Sequence, residues 1–98
     1  MTTTSRPAAV PTVQIDNASV RVTEWRFAPG AETGWHRHEH EYVVVPVTDG
    51  LLQLETPEGL REAQLTLGQS YTRPVGVEHN VINGSATELA FIEVELKR

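Results

Sequence analysis

Three of the four histidines of this chain fall within five positions: His36, His38 and His40. The fourth is His79. A neutral imidazole binds first-row divalent metals through a ring nitrogen. Spacing decides whether two imidazoles reach one ion. On an extended strand, residues i and i+2 project from the same side, so His36 and His38 face one way. On a helix the pair would stand about 200° apart around the axis. His79, from a separate strand, would add a third nitrogen and leave open positions on the ion. Such a set is expected to weaken below about pH 6, where free imidazole takes a proton. An isolated H-x-H pair is common in solvated loops. The elements around this one raise it above that background.

Those elements read as strands. Ser19–Phe27 is rich in Val, Thr, Trp and Phe and runs to Pro29-Gly30. Tyr42–Thr48 precedes Asp49-Gly50, a two-residue hairpin signal. Leu51–Thr56 meets Pro57-Glu58-Gly59, Leu60–Leu67 stops at Gly68, and Glu78–Ile82 stops at Asn83-Gly84. Thr87–Leu96 follows, with Ala90, Ile92, Val94 and Leu96 alternating with Glu93 and Glu95. His79 shares its parity with Val77 and Val81. A period of two, without a helical stripe, predicts an all-β sandwich or barrel. Residues 1–11, rich in Thr, Ser, Ala and Pro, are expected to form a flexible arm, and residues 12–98 a single domain.

Composition narrows the partners. The chain has 98 residues, 39% of them hydrophobic, and a formal charge of -5. An acidic domain lacks the basic face that a phosphate backbone requires, so nucleic acid is not an expected partner. The absence of cysteine excludes disulfides, thiolate nucleophiles and sulfur-ligated metals. The longest aliphatic run, Val43–Val47, is interrupted by Pro46, whereas a spanning helix needs about 20 apolar residues. A cytoplasmic location is the expectation. A chain this short buries about two thirds of its surface alone, which favours a homodimer.

The segment from Gly68 to Asn83 carries a specific pattern: Gly68, Pro74, Gly76, His79 and Asn83, spaced G-x5-P-x-G-x2-H-x3-N. Upstream, Gly30, His36 and His38 open a second pattern that ends near Gly50. Together these resemble the two motifs of the cupin family, over about residues 19–97. The resemblance implies a double-stranded β-helix, or jelly roll. It also implies a divalent metal on His36, His38 and His79, with zinc, iron, nickel, manganese and copper not distinguished. The family's first motif continues to a glutamate four or five residues after its second histidine. Here those positions hold Tyr42 and Val43. Glu41 shares the parity of Val43 and His40 that of His38, so the fourth ligand stands open among Glu41, His40, Tyr42 and water.

The residues around Trp35-His36-Arg37-His38 and Tyr42–Pro46 are also similar to a group of small cupins associated with β-alanine breakdown. Two roles follow as expectations: a small metal-dependent enzyme for an organic or amino acid, or a barrel that binds a small molecule without turnover. Trp35, Tyr42, Tyr71, Phe27 and Phe91 are candidate pocket-lining or packing residues, and Arg73 a candidate carboxylate partner. Asn83 reads as a plain turn residue.

Overall fold

A computed structural model describes residues 5–97. Nine strands follow in chain order: β1 (Val10–Asp16), β2 (Val20–Phe27), β3 (His36–Arg37), β4 (Glu41–Pro46) and β5 (Gly50–Thr56). Then come β6 (Gly59–Leu65), β7 (Tyr71–Arg73), β8 (Glu78–Asn83) and β9 (Leu89–Leu96). They form two antiparallel sheets, ordered β1-β2-β9-β4-β7 and β3-β8-β5-β6. Strands of the second half of the chain lie between strands of the first, as a double-stranded β-helix requires. No helix long and apolar enough to cross a membrane occurs among the described residues.

Side-chain alternation fills the space between the sheets. Phe27, Leu65 and Leu89 are fully buried, joined by Tyr42, Val44, Leu52, Val81 and Phe91. Phe27 and Phe91 lie with ring centroids 5.5 Å apart. Each such ring contributes about 2–3 kcal/mol through burial.

Three features differ from the reading of the sequence. Asp49-Gly50 does not close a hairpin, because β4 and β5 belong to different sheets. A Cβ at Gly50 would stand 2.5 Å from Leu89 Cδ1, so close packing demands the glycine there. Second, the segment expected as an arm is hydrogen-bonded from Pro7 on. Ala9 N–H donates to the Glu32 carbonyl at 2.8 Å, Glu32 N–H to the Pro7 carbonyl at 2.9 Å, and β1 starts at Val10. Pro11 is tolerated because β1 is an edge strand. The first four residues of that expected arm lie outside the described residues. Third, the apolar parity of β9 turns outward. Phe91 and Glu93 are buried, while Ile92 and Val94 are only half-buried.

Candidate metal centre

Two short connections bring the histidines together. β3 pairs with β8 so that His36 lies opposite His79. His38 follows β3 and is fixed through its backbone. Its N–H donates to the Val77 carbonyl at 2.8 Å, and its carbonyl accepts from Gly76 N–H at 2.8 Å. Gly76 holds φ at 96°, a left-handed conformation that favours glycine. The Pro74-Val75-Gly76 turn thus sets His38 beside the strand that carries His79.

The three Nε2 atoms converge. His36 Nε2 lies 3.0 Å from His38 Nε2, which lies 3.2 Å from His79 Nε2. Two nitrogens held about 2.1 Å from one ion stand about 3.0–3.4 Å apart at bond angles near 90–110°. The spacing matches that of ligands on one face of an ion. His36 Nδ1 lies 2.9 Å from the Gly34 carbonyl. That carbonyl only accepts, so it selects the Nδ1–H tautomer and leaves the Nε2 lone pair facing the cluster. The three rings are placed to hold a metal ion.

Burial keeps the donors in their ligand form. His38 and His79 are 5% and 8% exposed. Burial, with the neighbouring His36 and His79 acting in the same direction, lowers His38 to about 3. Burial first, then His36 and Arg73, lowers His79 to about 4. Tyr42 stacks on His38 with ring centroids 3.8 Å apart and sits on the inner face of β4. Desolvation raises its phenol well above the usual range, so it is un-ionised.

A cavity of about 420 Å³ opens beside the cluster, lined among others by Trp25, Thr33, His36, His38, His40 and Glu93. A small apolar recess behind it is bounded by Tyr42, Tyr71, His79 and Phe91. Glu93 borders both. It is 8% exposed, and its Oε1 stands 3.9 Å from His38 Nε2. His38 is neutral, so the contact is between a carboxyl and a dipolar ring and not a salt bridge. Burial raises the Glu93 carboxyl to about 7, helped by Glu95 and opposed by the nearby Trp25 indole.

His36, His38 and His79 are therefore brought together as the spacing predicted. Glu41 is not brought to them. It is exposed and lies on the face of β4 opposite Tyr42. Val43 shares that outer face. His40 reaches the cavity wall and not the convergent trio. Trp35 is 54% exposed, and Phe27 is core. The Arg73 guanidinium covers the Tyr71 ring at 4.6 Å. Asn83 is a buried clamp and not a plain turn residue. Its Nδ2 lies 3.1 Å from the Phe27 carbonyl and 2.9 Å from that of Thr87, and its Oδ1 accepts from Ser85 N–H at 2.8 Å. Glu93 and Trp25 had no motif to mark them. The one signal was the run of Glu93 and Glu95 in a strand whose partners turned out to be central.

The geometry agrees with comparisons to known proteins. Residues 23–95 match the Cupin_2 family, described as a cupin domain. The β-alanine degradation protein BauB of Pseudomonas aeruginosa is 72% identical over 92 residues, which is 94% of this chain and 97% of that protein. The crystal structure of a cupin domain from Bordetella pertussis superimposes with a TM-score of 0.96 at 67% identity, covering 98% of this chain and all of the other. A Klebsiella pneumoniae protein with a double-stranded β-helix domain shares the fold at a TM-score of 0.78 and 20% identity, over 97% of this chain and 82% of that one. With its two motifs, its two-sheet barrel and a family match over most of its length, the chain belongs to the cupin family.

Proposed function

We propose that this cupin holds one divalent metal on His36, His38 and His79 and uses it to bind and transform a small organic or amino acid. The observation that carries this reading is the convergence of three Nε2 atoms at 3.0 and 3.2 Å, those of His38 and His79 on buried rings and that of His36 on a half-buried one. A bound metal would supply Lewis-acid or redox chemistry according to its identity. The chain's own part is to orient and enclose. The Gly34 carbonyl holds the His36 tautomer, Tyr42 braces His38, and the cavity walls exclude bulk water from one side of the cluster. The high identity to a β-alanine degradation protein points to substrates of that chemistry, a short carbon chain bearing amino and carboxylate groups.

The same reading makes the protein a homodimer. Ile15, Val22, Val94 and Val43 lie in one row across β1, β2, β9 and β4 on the outer face of the larger sheet, and a second copy would cover them.

Metal analysis of untagged protein purified without chelators tests the site. Near one equivalent of a transition metal is expected in the wild type, and less than a tenth in His79→Ala. Background metal in both overturns the reading. Incubation of the loaded protein with β-alanine and related three-carbon acids then separates turnover from binding. Thermal shifts without product would make it a binding barrel.

A further inference from the structure

His36 stands on β3, a strand of two residues, so its aim depends on what holds the loop before it. That loop, Thr33-Gly34-Trp35, turns at Gly34, where φ is 90°. A glycine has no side chain to restrict the two peptides that meet at it, so each needs a hydrogen bond from outside. The Gly34 carbonyl takes the His36 Nδ1–H at 2.9 Å and the Thr33 hydroxyl at 2.9 Å. The Gly34 N–H donates to Asn80 Oδ1 at 2.9 Å. Thr33 is tied in turn to β8. Its hydroxyl accepts from Val81 N–H at 3.1 Å, and its own N–H donates to the Val81 carbonyl at 2.9 Å.

Asn80 follows His79 on β8 and points to the other face, where Glu55 of β5 lies opposite it. It is 5% exposed. Its Nδ2 donates to Glu32 Oε1 and to Glu55 Oε1, both at 2.8 Å, with one hydrogen for each. Carboxylates accept and the Gly34 N–H donates, so only one orientation of the amide satisfies all three partners. Bonds to charged acceptors are roughly twice as strong as neutral ones. Glu32 is itself fixed. Its backbone is bonded to Pro7 and Ala9, it bridges Ile82 of β8, and Arg6 Nη1 stands 3.4 Å from its Oε1. Two anchored carboxylates therefore clamp the amide that holds Gly34.

Building on the metal reading above, we propose that Asn80 is a positioning residue of the metal centre, holding Gly34 so that its carbonyl sets the tautomer and aim of His36. β8 then serves the centre from both faces, with His79 as a donor on one and Asn80 as a brace on the other. The line of hydrogen bonds runs from Glu32 and Glu55 through Asn80 and Gly34 to the His36 ring.

The test titrates Co2+ into metal-free protein. It is read by competition with a chromophoric chelator and by the visible Co2+ absorption band, with circular dichroism as a check of folding. Asn80→Ala is expected to bind 10- to 100-fold more weakly, with a changed band. Asn83→Ala removes a buried amide from the same strand whose bonds run to Phe27, Thr87 and Ser85 and not to Gly34. It controls for lost stability and is expected to stay within about threefold of the wild type. Asn80→Asp combined with Glu32→Gln and Glu55→Gln exchanges donors and acceptors. The carboxylate still accepts from Gly34 N–H, and two amides donate to it. This triple variant is expected to regain the wild-type band and affinity to within about threefold. A folded Asn80→Ala with wild-type affinity and band overturns the assignment alone, as does an equal loss in Asn83→Ala. Where Asn80→Ala does not fold, a folded triple variant with a tenfold loss or more overturns it. No Co2+ uptake by the wild type overturns the metal reading and the assignment with it.

Discussion

At the scale of residues, the cluster joins groups whose protonation pulls stability in opposite directions. His38 and His79 are held neutral down to about 3 and about 4, whereas the unfolded chain protonates them near 6.5. The unfolded state then binds more protons below 6.5, so this part of stability is lost as pH falls toward 4. Glu93 runs the other way. Its folded value is about 7 against 4.5 unfolded, so it contributes stability below 4.5 that is lost as pH rises through 7. Between 4.5 and 6.5 two histidines oppose one carboxyl, and stability rises with pH. Each group changes it by at most about 1.4 kcal/mol per pH unit. Metal-free protein is expected to gain melting temperature as pH rises from 4 to about 6.5 and to level off near pH 7. Glu93→Gln should steepen that rise. Thermal melts across pH 4–8 in the presence of a chelator check both.

At the scale of elements, legibility followed the period of the pattern. Strands with strong alternation or clear turns, β2, β5, β8 and β9, stand where the sequence placed them to within a few residues. β3 and β7, of two and three residues, are too short to show a period. β1 is exposed throughout and leaves no burial pattern to read. The three histidines were legible because an ion needs a fixed spacing. Glu93 was not, since it reaches the site through the pairing of β9 between β2 and β4, a contact far apart in sequence. Asn83 shows the same limit. Its neighbour Gly84 signalled a turn, yet its side chain ties the carbonyls of Phe27 and Thr87, beyond the reach of a local pattern. Asn83→Ala strands these buried groups and is expected to cost about 2–4 kcal/mol, read from urea denaturation as a lowered midpoint with little change in slope.

At the scale of the whole molecule, the larger sheet shows water a face unlike a typical solvent face. Val22, Val43 and Val94 stand side by side there, and Ile15 on the edge strand is 49% exposed. Sedimentation equilibrium is expected to give twice the chain mass, and Val94→Lys to shift it toward the monomer while metal uptake persists. A strictly monomeric wild type would remove the dimer from the account. The position of the cluster has a further consequence for the barrel itself. His36 and His79 belong to one sheet, while Tyr42 and Glu93 belong to the other. An ion held there by His36, His38 and His79 would pin β3 and β8 to the segment that leads into β4, whose His38 is stacked on Tyr42 of the larger sheet. A chain without cysteine cannot lock its layers with a sulfur bridge. Its fastening would be reversible, governed by metal supply and acidity and indifferent to the redox state of its surroundings.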